Sequence, residues 1–491
     1  MARRWRIGLT AALIVGVSAT LAAEAPVSFR PADVAAMVDA GQFKRAEASI
    51  KAALAQDDLV PTERAAWEWQ RERMRRIRMD FTLDADAAKA RLRQDIPDLR
   101  NEEFEDWDAH GVLEHLVIDG ERRYFRRGIG NLFLLDAAAR ERRAEPLKTF
   151  ASPLESVHPH HGAVRDAAMA AGSAHVLPRR VRVTQTLTVD ADAVPAGETL
   201  RAWIPYPQEL SGQQEDVRFV ASEPEKHRIA PADTAMRTVH FEQIARKGEP
   251  TVFRVSYDVT LKAQFTRVDP ARVMAAPITP ELAPYVAERP PHIVFTEQMR
   301  LFSRQIVGDE VDPWRIAQKL YAAVDAIPWA GAREYSTISN LGDYTLHAGH
   351  GDCGQQTLLL ITLLRLNGIP ARWQSGVIFS PESYWNIHDW GWLYIAPYGW
   401  LPMDVTFGRL DSHDADIAGF YLGGLDAYRI AFNTDYGRGF VPEKTSFRSD
   451  NVDSQRGEVE WKGGNLYYDQ WDYDLEWHEL HDVQPAATGH P

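Results

Sequence analysis

Apolar positions in the first part of the chain recur at helical intervals. From Pro31 to about His110 the pattern predicts several short helices, with a longer one, "PTERAAWEWQRERMRRIRM", starting at Pro61. In "LVIDGERRYFRR", the Asp119-Gly120 pair stands between two strand-like runs, which is typical of a β-hairpin. This part is therefore expected to be mostly helical with one small hairpin.

From Arg179 to about Val268 the apolar positions no longer recur at helical intervals but at every second residue, as in a strand. Runs such as "RRVRVTQTLTVDAD" and "TVFRVSYDVTLKAQF" are separated by Pro, Gly, Asp and Asn, so we expect short strands of a sandwich. Helical spacing returns around Phe295 to Val307 and Pro313 to Ala326. Near the end, "GEVEWKGGNLYYDQWDYDLEW" predicts a hairpin that turns at Gly463-Gly464.

The most apolar segment lies in "GHGDCGQQTLLLITLLRLNGIPARWQSG", Gly349 to Gly376. Between Thr357 and Leu366 it is apolar on nearly every side, which indicates a helix inside a domain core. Asn367-Gly368 provides a stop, and Asp352 is a good N-cap. These limits place Cys353 in the first turn of a buried helix.

A second hairpin is predicted in "WNIHDWGWLYIAPYGWLPMDVTFG", with its turn near Pro397-Tyr398-Gly399. His388 lies on the first strand and Asp404 on the returning strand. Because side chains alternate along a strand, an even separation of the two positions lets both emerge on the same face. We therefore expect an Asp–His hydrogen bond here.

Composition limits the partners of the chain. Its 491 residues include 55 Lys and Arg and 69 Asp and Glu, which gives a formal net charge of −14. A net-acidic surface does not attract nucleic acid or an anionic membrane, so neither is expected as a partner.

The N-terminus predicts export. Residues 1–23 combine a basic start, an apolar stretch without charge and small residues at the cleavage point, which is the pattern of a secretory signal peptide. We expect a periplasmic or extracellular protein, with no membrane contact beyond the cleaved signal. Since Cys353 is the only cysteine, it is an inert buried residue, an intermolecular link or a reactive thiol.

The position of Cys353 favours the reactive thiol. Unpaired N–H groups and the positive end of the helix dipole stabilise a thiolate at a helix start, and could help to stabilise an oxyanion. A thiol nucleophile needs a base and a group that orients the base. We predict Cys353 as nucleophile, His388 as base and Asp404 as the orienting carboxylate.

The motifs "GDCGQQ", "HDW" and "GWLPMD", in this order, resemble the transglutaminase-like superfamily, of the type found in bacterial exported proteins. The resemblance implies a papain-like core whose cysteine, histidine and aspartate fall on Cys353, His388 and Asp404. No cofactor and no metal are expected, and the calcium sites of the animal enzymes are not expected either. For the side chain that completes an oxyanion hole, Tyr335, Asn340 and Tyr344 are candidates.

The predicted fold class is thus α+β multidomain. A helical N-terminal region and a β-sandwich-like middle domain precede a transglutaminase-like (papain-like) cysteine core. The expected boundaries are a signal peptide at 1–23, the helical region at 26–145, the β-rich domain at 178–268, the core at 275–440, and a C-terminal hairpin and tail at 441–491.

These features predict an exported thiol acyl-transfer enzyme acting on an amide or peptide carbonyl of a protein or a cell-wall peptide. Hydrolysis is favoured over amine cross-linking, and the oligomeric state stays open. One alternative is a scaffold or binding module with little turnover. Another is a metal protein that uses His347, His350 and Cys353, with His388 as a fourth ligand. The cluster His158, His160 and His161 is expected in a solvated loop.

Overall fold

The computed structural model describes residues 30–148 and 151–480. The predicted signal peptide and the last residues of the predicted tail lie outside the described residues. In the part that is described, no helix is long and apolar enough to cross a membrane.

The N-terminal region consists of short helices around two apolar clusters, with the expected hairpin between them. Helix starts carry local signals, such as the proline at the first position of the first and third helices and the Asp84 cap of the fourth. The elements are α1 (Pro31–Asp39), α2 (Phe43–Leu54), α3 (Pro61–Asp80), α4 (Ala85–Asp95), α5 (Asn101–Ala109), β1 (His115–Ile118), β2 (Glu121–Tyr124), α6 (Leu132–Leu135) and α7 (Ala137–Glu141).

In the described residues, six strands from the middle of the chain and four from its later part form two five-stranded sheets that share a large apolar core. Alternation of buried and exposed side chains along the strands explains the period of two in the sequence. This part contains α8 (Pro159–Ala171), β3 (His175–Val189), β4 (Thr199–Pro205), β5 (Gln214–Glu223), β6 (His227–Ile229), β7 (Thr238–Ile244) and β8 (Thr251–Phe265).

Between the sandwich strands and the C-terminal segment, helices pack on a four-stranded antiparallel sheet. Its elements are α9 (Glu297–Val307), α10 (Pro313–Asp325), α11 (Leu341–Ala348), α12 (Cys353–Leu366), β9 (Ala371–Phe379), β10 (Trp385–Ile395), β11 (Gly399–Met403), α13 (Ala415–Ala418), β12 (Gly424–Leu425) and β13 (Arg429–Asn433). The strand order is β11-β10-β9-β13, while β12 pairs with β8 of the sandwich. Helix α12 is the predicted buried helix, with every residue from Gly354 to Arg365 buried.

The C-terminal segment, where a hairpin and tail are expected at 441–491, adds strands to both sheets of the sandwich. It supplies β14 (Glu458–Trp461), β15 (Gly464–Leu466) and β16 (Trp471–Glu479). The hairpin turns at Lys462-Gly463, one residue before the predicted Gly463-Gly464. Strand β14 also pairs with β4, and β16 pairs with β3 along nine residues. The apolar side chains Trp471 and Leu475 join the sandwich core, which explains why the chain returns there.

The N-terminal region docks on the segment that precedes α12. From α3, Arg73 donates to the Thr337 carbonyl at 3.1 Å, and Arg76 donates to the carbonyls of Arg448 and Ser449 at 2.9 Å each. The short helix Tyr335–Thr337 therefore rests against the helical region.

A substitution at Gly376, on β9, tests how closely β13 packs on β9. A Cβ at this position would collide with the backbone carbonyl of Ile430 in β13. We expect Gly376→Ala to lower the free energy of unfolding by about 1–3 kcal/mol, measured by urea denaturation, because backbone cannot move aside cheaply. Gly162→Ala in α8, which meets no atom within 4 Å, is the matched control and should be neutral or stabilising. Equal stability of the two variants would contradict the close strand pairing.

Candidate active site

Cys353 is the first residue of α12, as the sequence predicts. The Asp352 carboxylate caps the helix by accepting from the Gln355 N–H at 3.1 Å, and the Gln355 side chain accepts from the Asp352 N–H. This reciprocal capping fixes the start of the helix and with it the position of the thiol.

His388 and Asp404 meet at the end of the second predicted hairpin. The turn joins β10 and β11, with Gly391 opposite Met403, so Asp404 follows directly after the paired residues. The Nε2 atom of His388 lies 2.8 Å from Oδ2 of Asp404, and both side chains are buried. The Nδ1 atom of His388 makes no hydrogen bond within the described residues, so it remains available for proton transfer.

The thiol bonds to a residue that the sequence analysis did not single out. Sγ of Cys353 donates to Oδ2 of Asp389 at 3.3 Å, and no hydrogen bond joins it to His388 in the described structure. Asp389 follows His388 on β10 and points to the α12 side of the sheet, where its backbone carbonyl also accepts from Thr357 at 3.3 Å. The expected Cys–His contact is therefore not formed in this conformation.

Asp389 is held by several partners. Gln455 donates to its Oδ1 at 2.8 Å, and the Tyr335 hydroxyl lies 3.3 Å from its Oδ2. Its pKa is raised, first by burial, and the buried carboxyl of Asp453 next to it has a pKa raised well above the ordinary value. The thiol thus faces a buried, acid-rich environment.

Tyr335 is the one of the three oxyanion-hole candidates that reaches this site. Its hydroxyl donates to Asp352 at 2.8 Å and accepts from the Gly354 N–H at 3.1 Å. Asn340 instead caps α11, and Tyr344 stacks near Arg333. In this conformation the N–H groups of Gly354 and Gln355 are both occupied, which limits the donors that are free for an oxyanion.

The expected low pKa of the thiol is not found. Burial raises the pKa of Cys353 well above its ordinary value, and the neighbouring Asp389 and Asp352 charges raise it further. Burial together with Asp389 also raises the pKa of Asp352 to about 7. The favourable helix start is therefore outweighed by burial and by two carboxylates, of which Asp352 adjoins the thiol in the sequence and Asp389 is brought to it by folding, and the thiol is protonated in this conformation at neutral pH.

Asp389→Asn should lower the pKa of the Cys353 thiol, because it removes the nearest negative charge and leaves an amide that can donate to a thiolate. We expect faster alkylation by iodoacetamide at neutral pH than in the unmodified protein, measured across a pH series. Asp343→Asn, at a half-buried carboxylate on α11, is the control and should leave the rate unchanged. Slower alkylation of Asp389→Asn would show instead that this carboxylate accepts the thiol proton.

Arg429 was missed by the sequence analysis. Fully buried on β13, it donates to Oδ2 of Asp404 at 2.5 Å and to Oδ2 of Asp426 at 2.8 Å. Burial alone would raise the pKa of Asp404, but the charges and hydrogen bonds of His388 and Arg429 hold it well below the ordinary value. Asp404 is therefore ionised and fixed on both sides.

The expectation of a solvated loop at His158, His160 and His161 is wrong. His158 caps α8, while His160 and His161 are buried against the segment that carries Asp426. His161 Nε2 lies 2.9 Å from the Tyr421 hydroxyl, which in turn donates to Asp426 at 3.2 Å. Burial lowers the pKa of His160 and His161 to about 4, so both are neutral at pH 7.

No group of three or more His, Cys, Asp and Glu side chains that could hold a metal ion exists among residues 30–148 and 151–480. His350 is buried and packs edge-on against Tyr344 at a ring-centroid distance of 6.2 Å, while His347 is exposed. These histidines and Cys353 therefore do not form the metal site considered from the H-x-x-H-x-x-C spacing.

Comparison with known proteins identifies part of the chain. Residues 300–405 match the model of the transglutaminase-like superfamily. A solved structure of a candidate cysteine protease from Cytophaga hutchinsonii is 13% identical, covering 63% of this chain and 94% of that chain, with a TM-score of 0.41. The solved structure of the periplasmic domain of TgpA from Pseudomonas aeruginosa, bound to ethylmercury, is 16% identical to this chain. The match covers 50% of this chain and 94% of that chain, with a TM-score of 0.25. No curated protein matches the chain.

The matched segment extends from α9 through β11 and contains Cys353, His388 and Asp404. It agrees with the three motifs in the sequence and with a mixed structure of helices and sheets. The two solved structures are too distant to add an argument about activity. Residues 300–405 of this chain are a transglutaminase-like core.

Proposed function

We propose that the protein is an exported thiol acyl-transfer enzyme that attacks an amide or peptide carbonyl through Cys353. The observation that carries the proposal is the His388–Asp404 hydrogen bond of 2.8 Å on the sheet against which α12 packs, whose first residue is the only cysteine of the chain. The three residues lie in the segment that matches the transglutaminase-like superfamily. Such a set supplies a nucleophile, a base and a group that orients the base.

In the proposed reaction the thiol first leaves Asp389 and meets Nδ1 of His388. Because neighbouring residues of β10 point to opposite faces, this step needs a shift of the start of α12 or of β10 when substrate binds, and not only a rotation of the thiol. His388 takes the thiol proton as sulfur attacks the carbonyl carbon, and Asp404 stabilises the resulting imidazolium. The proton is then given to the leaving amine as its C–N bond breaks, which leaves a thioester on Cys353. Attack by water, with its proton passing to His388, releases the acid; attack by an amine gives a new amide.

We favour hydrolysis over cross-linking, and a protein or the peptide part of the cell wall as substrate. The substrate class is supported by the signal-like sequence at residues 1–23, which would deliver the protein to a compartment where both substrates are accessible. The preference for hydrolysis rests on the resemblance to bacterial members of the superfamily. The core alone is compatible with either acyl acceptor.

A second candidate is a binding module that keeps the core but turns over slowly. The observation that favours it is the thiol itself, which donates to Asp389 and whose pKa is raised well above the ordinary value. A protonated thiol is a poor nucleophile, so this alternative predicts that the resting arrangement persists when a substrate binds.

The two candidates differ in their reaction with an activated acyl ester. We expect p-nitrophenyl acetate to give a burst of p-nitrophenol followed by slower turnover, and Cys353→Ala to remove both phases. Added primary amine should leave acetate as the main product if water is the preferred acceptor, whereas acetylated amine as the main product would indicate cross-linking activity. No burst, with normal folding of the unmodified protein, would favour the binding module.

A further inference from the structure

A cavity of about 330 Å³ lies on the face of the sheet opposite α12, between β9–β11 and the sandwich. Its wall includes Arg372 and Gln374 from β9, Trp392 from β10, Trp400 from β11 and Gln264 from β8. A volume of this size is at the lower end of the range of small-molecule sites in proteins. Although acidic residues outnumber basic ones in the chain, no Asp or Glu lines this cavity.

Arg372 carries a positive charge in the cavity wall without a carboxylate partner. Its guanidinium lies 4.3 Å from the ring centroid of Trp400 and 5.6 Å from that of Trp392. It takes part in no ion pair among the residues that the structure describes. Burial lowers its pKa, and the Tyr285 hydroxyl offsets this only in part. Arg372 is half-buried, and a positive charge in a cavity wall that holds no carboxylate attracts an anion, so the site favours a negatively charged ligand.

Two other arginines of the core, by contrast, have hydrogen-bond acceptors for their guanidinium groups. Arg429 bonds to two carboxylates. Arg365, which has no ion pair in the described structure, donates instead to the backbone carbonyls of Ala371, Pro284 and Ala287. Arg372 has neither arrangement, which sets it apart from both.

The amides of the wall add donors rather than acceptors. Oε1 of Gln374 already accepts from the indoles of Trp390 and Trp392, at 2.6 and 2.9 Å, and from Gln213 at 2.8 Å. By contrast, Gln264 is 3% exposed, and its Nε2 has no hydrogen-bond partner. An unpaired buried donor in the wall calls for an acceptor from a ligand.

We propose that this cavity binds the carboxylate of a short peptide or acylated amino acid. Arg372 would hold both carboxylate oxygens with its planar fork, Gln264 would donate to a further acceptor such as a peptide carbonyl, and the rings of Trp392 and Trp400 would contact the apolar part. The proposal does not rest on the proposed function, because it uses neither Cys353 nor His388.

The cavity is nonetheless placed to act together with the candidate active site. Trp392 and His388 lie on the same face of β10, four residues or about 13 Å apart along the strand. Trp390 lies between them, stacked near His388 at a centroid distance of 6.2 Å and bonded to Gln374. A ligand in the cavity would therefore contact the strand that carries the proposed base.

The test is isothermal titration calorimetry on the full chain carrying Cys353→Ala, so that no probe can be turned over. The probe is acetyl-alanyl-alanine with a free C-terminal carboxylate, compared with its C-terminal amide. We expect saturable binding of the acid and at least about tenfold weaker binding of the amide, because the amide carries no charge for Arg372.

Arg372→Gln should weaken binding of the acid to the level of the amide, and Arg372→Lys should give an intermediate affinity because it keeps the charge but loses the planar fork. Arg272→Gln is the matched control, since Arg272 stacks on Tyr398 at 5.5 Å but is exposed outside the cavity. The Arg272→Gln variant should bind the acid with unchanged affinity. If Arg372→Gln does not fold, the proposal is still tested by comparing the affinities of the acid and the amide for the folded Cys353→Ala protein.

Two further probes separate carboxylate from other ligands. Inorganic phosphate that binds more tightly than the acid, or N-acetylglucosamine that binds equally well with and without Arg372, would overturn the carboxylate assignment. Equal affinity for the acid and the amide, or no binding of either, would overturn the proposal as a whole.

Discussion

Replacement of His388 by alanine is expected to slow acylation of Cys353 by about 10²–10⁴-fold, the range that a positioned base usually contributes. His388 is the group next to Asp389 on β10 whose free Nδ1 can receive the thiol proton, while its Nε2 is held by Asp404 at 2.8 Å. The measurement is the rate of the p-nitrophenol burst with p-nitrophenyl acetate. Binding of the ester should change little, so the loss should appear in the rate constant of the burst.

His347→Ala is the control for this variant. His347 lies on α11 near the same helix start but is exposed, so its removal should leave the burst unchanged. A normal burst in His388→Ala, together with loss of the burst in Asp389→Asn, would contradict the role of His388 and make Asp389 the proton acceptor.

Arg429→Met is expected to lower the free energy of unfolding by about 3–5 kcal/mol, the usual cost of removing one partner from a buried ionic group. Arg429 is 3% exposed and is the cation between Asp404 and Asp426. Its loss leaves two buried carboxylates without their cation, and Asp404 would keep only neutral or histidine partners, namely His388 and the backbone N–H groups of Thr406 and Phe407. Urea denaturation followed by circular dichroism measures the effect.

Arg438→Met provides the comparison, because Arg438 pairs with Asp435 at 2.7 Å but is largely exposed. An exposed pair contributes only about 0–1 kcal/mol, so this variant should unfold almost as the unmodified protein does. Equal stability of the Arg429 and Arg438 variants would show that Arg429 does not hold the two carboxylates.

Local sequence signals predicted much of the core. The cap at Asp352, the apolar run and the stop at Asn367-Gly368 define α12 closely, because helix limits depend on neighbouring residues. The His388–Asp404 contact was predicted from the turn between β10 and β11 and from the even spacing of the two residues, because pairing across a short turn also depends on nearby residues.

Contacts between distant segments could not be predicted in this way. Arg429 reaches Asp404 from a strand on the other side of β9, and Gln455 reaches Asp389 from the C-terminal segment. The direction of the pKa shift of Cys353 depends on burial and on Asp389, which come from tertiary packing, whereas the dipole of α12 and the adjacent Asp352 are known from local sequence. Spacing indicated an exposed cluster for His160 and His161, but tertiary packing buries both.

The most direct test of the account is to locate the acyl group after reaction with p-nitrophenyl acetate, by rapid acid quenching, intact mass and peptide mapping. The account predicts one acetyl group, bound as a thioester to the peptide that contains Cys353, and none in Cys353→Ala. Acetylation of a lysine or serine with Cys353 unmodified would contradict it.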